Sequence, residues 1–434
     1  MQPIFYRGQR LTATKVKLSG THRTTSAEDT WEKVAPLAPK IGITRVANIT
    51  GLDRLSIPVT SVVRPTSKTL AISSGKGTSL IIAQVSGFME SLELYCAEEH
   101  DPEPLHLPYN ELIKHFDAID LSLLPLRKNS LFHPSWPERW VLGWDLFIQK
   151  EVAIPLLSVT LNAQIRDRIP TELFSFRMDS NGLASGNHFA EALTSAIYEL
   201  IERDAITCHD IALEHCGFFS PRVRLETITY PSVRELLDKL AHANIECFLY
   251  DCTIDTAVPV FKAYLYDPSV RHREISGGYG AHLDPEVAMI RAITEAVQGR
   301  TVYISGSRDD IFSQKAEFWE IGNQIASLQN QPATIDAKNY QSQASCSFEG
   351  DLYLLMSKLK DAGLNQLIVY DLSQQELGVF VVRALIPGLE AYHNASHAPG
   401  YRALRFAAAM NNHSHVKNGI STYGAHSPAG GLID

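Results

Sequence analysis

The sequence predicts a mixed α/β (α+β) fold in which three related acidic helices pack on mainly antiparallel strands. Three observations predict it. First, GKGTSLIIAQVSGFMESLELY (75–95), ASGNHFAEALTSAIYELIERD (184–204) and GYGAHLDPEVAMIRAITEAVQ (278–298) align as one helix written three times. Glu90, Glu199 and Glu295 share a register, as do Glu93, Glu202 and Gln298; Ser86, Ser195 and Arg291; and Ala83, Ala192 and Ala288. Second, the offsets of 109 and 96 residues are too long for a solenoid and suit duplicated supersecondary units. Third, short β-branched runs bounded by turn residues lie between the helices.

The elements follow in order. Residues 1–40 are polar and mixed, and read as a peripheral strand or arm. ITRVANITGL, IPVTSVVRP and TLAISSG then read as strands and turns, ahead of the first acidic helix at 79–98. The Pro- and charge-rich stretch 100–140 connects, and VLGWDLFIQKEVAIPL reads as a hairpin. The second acidic helix spans 188–214. PSVRELLDKLAHANI (231–245) has helical periodicity and leads into the strands ECFLYDCT and PVFKAYLYD. The third acidic helix spans 284–302. Residues 308–348 read as a polar helical insertion, and DLYLLMSKLKDAGL (351–364) as an amphipathic helix. LIVYDLS and VFVVRALIP are strands. The stretch from Asn411 to Asp434 is Gly- and His-containing and reads as loose. No low-complexity linker interrupts 41–400, and no repeat could bury its apolar face alone. The expectation is one large domain over 41–400, flanked by an N-terminal segment (1–40) and a tail (401–434).

Composition narrows the class. With 45% hydrophobic and 20% charged residues, the chain reads as an ordinary globular protein. A net charge of −9 argues against a general nucleic-acid or anionic-membrane surface. The six cysteines (Cys96, Cys208, Cys216, Cys247, Cys252 and Cys346) have neither CxxC nor zinc-finger spacing, so they read as free thiols of a reducing compartment. The N-terminus lacks a signal-peptide apolar run, and no stretch has 18 consecutive apolar residues. Cytoplasmic is the default.

The chemistry sits on the acidic helices. At about 100° of rotation per residue, Asn187, Glu191 and Glu202 fall within about 60° of one another, and Glu199 lies about 80° from Glu191. Leu193, Ile197, Leu200 and Ile201 form the opposite, apolar stripe. An acidic stripe is ordinarily a solvated face. Here no Lys stands at i+4 and the acids recur on two other helices. Carboxylates on packed helices are costly unless a cation sits among them, and a divalent metal holding a polyphosphate supplies one. Asn187 follows Gly186 at a helix start, where backbone N–H groups suit phosphate oxygens. Arg203 and Arg291 could bridge the acids or hold phosphates. His188 and His282 at helix starts read as structural. Arg308-Asp309-Asp310 and Arg383 read as framework ion pairs, with substrate contact the sharper alternative. GKG (75–77) is not a Walker A loop, and GxSxG, HExxH and a GxGxxG following a strand are all absent.

GKG…ESLE (75–93), SGNHFAEALTSAIYELIERDA (185–205), GGYGAHLDPEVAMIRAITEAVQGR (277–300), SRDD (307–310) and VVRALIPGLE (381–390) resemble the YcaO superfamily. The resemblance implies a YcaO-type fold around an ATP site, with acidic helices holding Mg2+ against the nucleotide phosphates. By motif position, Glu90, Glu93, Glu191, Glu199, Glu202 and Glu295 resemble its metal-binding acids. Asn187, Arg203 and Arg291 resemble its nucleotide-contacting residues, with Ser79 and Gln298 as weaker matches; Glu199, Glu202, Arg203 and Arg291 carry the expected catalysis. Such proteins phosphorylate a backbone amide oxygen of a ribosomally made peptide or protein, giving azolines, thioamides or amidines. Azoline-forming members often end in PxPxP, whereas this sequence ends HSPAGGLID. That difference points to thioamide formation with a TfuA-like partner, ahead of an azoline-forming cyclodehydratase. With no fused leader-binding domain in view, a separate partner protein is expected to bring the precursor peptide. An accessory or scaffold protein is the alternative of another class, and homodimerisation is left open.

Overall fold

The structure is a computed structural model and describes residues 3–18, 20–124, 130–162, 175–269, 275–307, 325–391 and 398–417. Arg308-Asp309-Asp310, the first part of the expected helical insertion (308–324) and the HSPAGGLID end lie outside the described residues.

The three expected helices are Leu80–Glu99, Phe189–Cys216 and Pro285–Ser305. Each follows a short lead strand: Ile72–Lys76, Leu183–Gly186 and Ile275–Ala281 respectively. The repeated unit is therefore strand, turn and helix. All three helices are capped at one aligned position. Ser79 accepts from Ile82 N, His188 Nδ1 from Ala190 N at 3.1 Å, and Asp284 from Glu286 N at 3.0 Å. Each side chain satisfies an amide that a helix N-terminus otherwise leaves unpaired.

Each lead strand belongs to its own sheet and stands at its edge. Ile72–Lys76 closes a three-stranded antiparallel meander with Val59–Val63 and Arg45–Asn48. Leu183–Gly186 pairs antiparallel with Phe380–Leu385 at one end of a six-stranded sheet, which also holds the expected hairpin Pro137–Asp145/Lys150–Pro155. Ile275–Ala281 pairs antiparallel with Val260–Tyr266 at one end of a five-stranded sheet. The mainly antiparallel expectation holds: among these sheets the ladder of Arg222–Arg224 with Ala333–Asp336 is the parallel exception.

Glycines set how closely helix meets strand. A Cβ on Gly75 would stand 1.9 Å from Ala83 O and 2.4 Å from Gly87 N. A Cβ on Gly280, at the aligned position of the third unit, would stand 2.1 Å from Ala288 O and 2.7 Å from Ala292 N. The same crossing has been built twice from residues 205 positions apart. The apolar stripe read from the sequence is the packed one: Leu193, Ile197, Leu200 and Ile201 are all buried. Leu80–Glu99 is long and apolar enough to cross a membrane by composition alone, but half of that window is buried, as in a core helix.

Three expectations are corrected. Residues 20–30 are not a mere peripheral arm, because they wall the central cavity described below. Within the expected helical insertion, Ala333–Asp336 is a strand, paired with Arg222–Arg224 on the far edge of the five-stranded sheet. The loose stretch begins later than expected, since Tyr401–Lys417 is a helix. Ala403 and Ala407 pack against Cys208, Ile211 and Ala212 of the second acidic helix. Arg402 donates to Asp204 at 2.7 Å, and Glu390 accepts from Gly400 N and Ala403 N, both at 2.9 Å.

Gly280→Ala is expected to destabilise the protein by about 3 kcal/mol, the upper end for an overpacked interior, because backbone rather than a flexible side chain meets the new methyl. Gly51→Ala meets open space and serves as the control. Denaturant midpoints read both; equal midpoints would remove the close crossing as the reason for glycine.

Candidate active site

The three helices and their lead strands enclose a cavity of about 700 Å3. All six expected metal-binding acids (Glu90, Glu93, Glu191, Glu199, Glu202 and Glu295) line it, together with Asn187, Arg203, Arg291 and Gln298. Ser79 does not, since its hydroxyl is spent on the helix cap.

The acids close a cycle. Glu93 on the first helix accepts from Ser185 N at 2.7 Å and Ser185 Oγ at 2.6 Å on the second lead strand. Glu202 on the second helix accepts from Ala281 N at 3.1 Å on the third lead strand. Gln298 on the third helix donates to Ser74 O at 2.7 Å on the first lead strand. These are aligned positions, each reaching into the next unit. Lys76, which aligns with Ser185 and Ala281, continues the pattern by pairing with Glu295 of the third helix.

Burial governs the charges. It pushes Glu93 up to about 8, against the Ser185 hydrogen bond, with Glu90 and Glu199 adding to the rise. It pushes Glu199 up to about 7 despite Arg203. Glu202 is also raised by burial, Arg203 opposing and Glu295 adding. For Glu295 burial is outweighed by Lys76 and Arg203, so its carboxyl lies below the ordinary range. Arg203 stacks its guanidinium 5.8 Å from the Tyr279 ring centroid; burial opposes its charge, but Glu202, Glu295 and Glu199 keep it firmly ionised.

The N-terminal segment supplies what the sequence pattern does not reveal. Thr24 donates to Glu191 through its backbone N at 3.2 Å and its hydroxyl at 2.5 Å, and Arg23 stands 3.7 Å from the same carboxylate. Asn187 donates to Thr30 at 2.8 Å. Arg23, Thr25 and Tyr279 also line the cavity. Lys76 lay in view within GKG; Arg23 and Thr24 belong to no pattern that marks them.

The cavity fits a nucleotide with Mg2+. Its candidate donors for a cation are carboxylate oxygens, which Mg2+ prefers. Among the described residues no three acidic, His or Cys side chains form a ready cage. Mg2+ needs none, being held by one or two carboxylates together with substrate phosphates and water. The buried Nε of Arg291 has no hydrogen-bond partner, which leaves a guanidinium edge for a phosphate oxygen.

Comparison with known proteins identifies the class. A family model described as "YcaO cyclodehydratase, ATP-ad Mg2+-binding" matches residues 74–390. The chain belongs to the YcaO family of ATP-dependent peptide-modifying enzymes, and ATP and Mg2+ are its cofactors. An uncharacterised protein of Methanothermobacter thermautotrophicus is 33% identical over 364 residues, covering 81% of this chain and 91% of the relative. A Rhizobium leguminosarum bv. trifolii protein, named only as lying in the tfuA 3' region, is 29% identical and covers 85% and 88%. Among solved structures, a heterocyclase in complex with substrate and cofactor has a TM-score of 0.74 at 22% identity. That match covers 90% of this chain and 55% of the heterocyclase chain. The Methanopyrus kandleri YcaO bound with AMPPCP and Mg2+ has a TM-score of 0.68 at 22% identity, covering 87% and 95%. These two share the fold.

Glu93 and Glu199 hold a proton more tightly when folded, at about 8 and about 7 against an ordinary 4.5. Stability from both is therefore full below 4.5 and declines as pH climbs through about 7 and 8. A cation in the cavity needs the ionised forms, so its stabilising effect grows over the same window. Thermal unfolding of the ligand-free protein is expected to fall between pH 6 and 8.5, and the rise with Mg·ATP to be larger at pH 8.5. The opposite trend would refute the charge assignment.

Proposed function

We propose that this protein activates a peptide backbone amide by O-phosphorylation and replaces its oxygen with sulfur, working with a TfuA-like partner. The observation that carries the ATP step is the cavity itself: acids from three helices face an arginine edge that has no partner. In this reading Glu90, Glu93, Glu199, Glu202 and Glu295 hold Mg2+, and Glu191 steadies the N-terminal wall through Thr24 and Arg23. Asn187, Arg203, Arg291 and Gln298 bind the nucleotide. Bound Mg2+ would neutralise charge developing on the phosphates.

The reaction balances simply. The amide oxygen takes the γ-phosphoryl group as its bond to ADP breaks. Hydrosulfide adds to the amide carbon, the carbon–oxygen bond breaks, phosphate leaves with the electron pair, and the sulfur loses its proton. Support for the sulfur branch is the relative named for the tfuA region. Azoline formation is the second reading, favoured by the cyclodehydratase description of the family model. There a neighbouring Cys, Ser or Thr side chain attacks instead of hydrosulfide.

Intact peptide mass separates the two. Thioamide formation adds about 16 Da and needs sulfide, whereas an azoline loses about 18 Da without it, each event consuming one ATP. A sulfide-independent loss of water would replace the first reading with the second. The site itself is tested by calorimetry. The Glu199→Gln, Glu202→Gln double variant should lose about 3–5 kcal/mol of Mg·ATP affinity, by analogy with a broken buried charge pair. Wild-type affinity in that variant would sink the assignment.

A further inference from the structure

A second, smaller cavity of about 60 Å3 lies back to back with the nucleotide cavity. The two share a thin wall. Ser180 lines the large cavity, while its chain neighbours Asp179 and Asn181 line the small one. Leu183 lines the large one, while Arg383, its register partner across the ladder, lines the small one. Glu199 and Leu200 divide in the same way.

The small cavity gathers polar atoms that have nothing to bond. Arg383 is 3% exposed; its Nη2 donates to Asp179 at 3.1 Å, but its buried Nε has no partner. Arg177 donates from Nε to the other Asp179 oxygen at 3.0 Å, and its buried Nη1 has no partner. The buried Oδ1 of Asn181 also has none. Two guanidinium groups thus share one carboxylate. The other acid lining the cavity, Glu390, turns its oxygens to the Gly400 and Ala403 amides. Leaving buried donors and acceptors unmet is costly, and unmet groups clustered at a cavity call for a ligand or ordered water. The volume holds a few water-sized molecules and no more.

We infer that this cavity seats a small monovalent anion, hydrosulfide by chemical class, across that thin wall from the nucleotide site. The inference rests on the sulfur-transfer reading above. Hydrosulfide accepts hydrogen bonds from both guanidinium edges and donates its own S–H to Asn181 Oδ1. Its soft sulfur tolerates the apolar wall of Leu200, Ile386 and Leu389 better than a strongly hydrated anion would. The charge of Arg383 also reaches Glu199, so an anion seated there is felt in the nucleotide cavity.

The test needs neither peptide nor turnover. Crystals grown with Mg·AMPPCP are soaked in bromide, a monovalent anion visible by anomalous scattering, with and without hydrosulfide. A bromide peak between Arg177 and Arg383 is expected, reduced at least fivefold by hydrosulfide. Asn181→Asp puts a carboxylate where the unmet acceptor stands and should abolish the peak while leaving Mg·AMPPCP affinity within twofold, which shows that the variant is folded. No peak in the wild-type crystal, with waters alone in the cavity, overturns the proposal. So does a peak that hydrosulfide cannot displace, an adventitious ion only, or one that survives Asn181→Asp. A peptide that loses water in the mass assay would instead refute the sulfur reading, whatever bromide does.

Discussion

The arrangement depends on the edges of three sheets. Each lead strand is the outer strand of its sheet, so one row of its backbone groups has no neighbouring strand to pair with. A bare edge invites pairing with another chain, and a buried one must be satisfied. Here the helix of the preceding unit does so, through Glu93 to Ser185, Glu202 to Ala281 and Gln298 to Ser74. The carboxylates are consequently fixed in place before any ligand arrives. A side chain that must reach a strand edge also faces the space the three units enclose, so one requirement places both the fold contacts and the acids of the cavity.

Chemistry arises where the three-fold pattern is broken. A perfectly repeated ring would carry only acids and repel itself. The third unit instead has Gln298 where the others have Glu93 and Glu202, and Arg291 where they have Ser86 and Ser195. The first lead strand has Lys76 where the others have Ser185 and Ala281. These changes gather positive charge on one flank, where Glu295 lies below the ordinary range, and leave Glu93 and Glu199 raised above it by burial on the other. A cavity acidic on one side and cationic on the other is suited to a metal ion bound to phosphates, since the two partners carry opposite charge. Neither flank alone would hold both.

What could be read from the sequence was whatever repeats. The acids follow from aligning three segments, and the strand before the first helix from its β-branched run; the caps at Ser79, His188 and Asp284 and the strands before the other two helices emerge only in the structure. The apolar stripe of the second helix follows from its period. Residues that occur once were harder to place. Arg23 and Thr24 come from a polar segment with no period, and reach Glu191 only because the chain folds back across 167 residues. Ser79, expected as a weaker nucleotide contact, instead spends its oxygen on a helix cap and lies off the cavity. The helix Tyr401–Lys417 has little apolar contrast, and its docking rests on small residues and on buried ion pairs from another part of the chain. Ala333–Asp336 is a short edge strand whose pairing with Arg222–Arg224 no local signal encodes.

The same helix that supplies Glu199, Glu202 and Arg203 also carries the attachment of the C-terminal helix, and the spacing explains how. Successive residues on a helix point about 100° apart. Glu202 and Arg203 can therefore face the cavity while Asp204, the next residue, faces away into a dry interior. Burial pushes the Asp204 carboxyl up to about 6 even though Arg402 stabilises its ionised form. An unpaired carboxylate there would be expensive, so the C-terminal helix must stay docked for Asp204 to remain satisfied. Arg402 in turn also meets Asp255 at the rim, and Glu390 receives the first amides of that helix. One turn of the second acidic helix thus joins the nucleotide cavity to a segment beyond the matched family region. A substitution at Arg402 would act on the cavity through the position of Arg203, without touching any ligand.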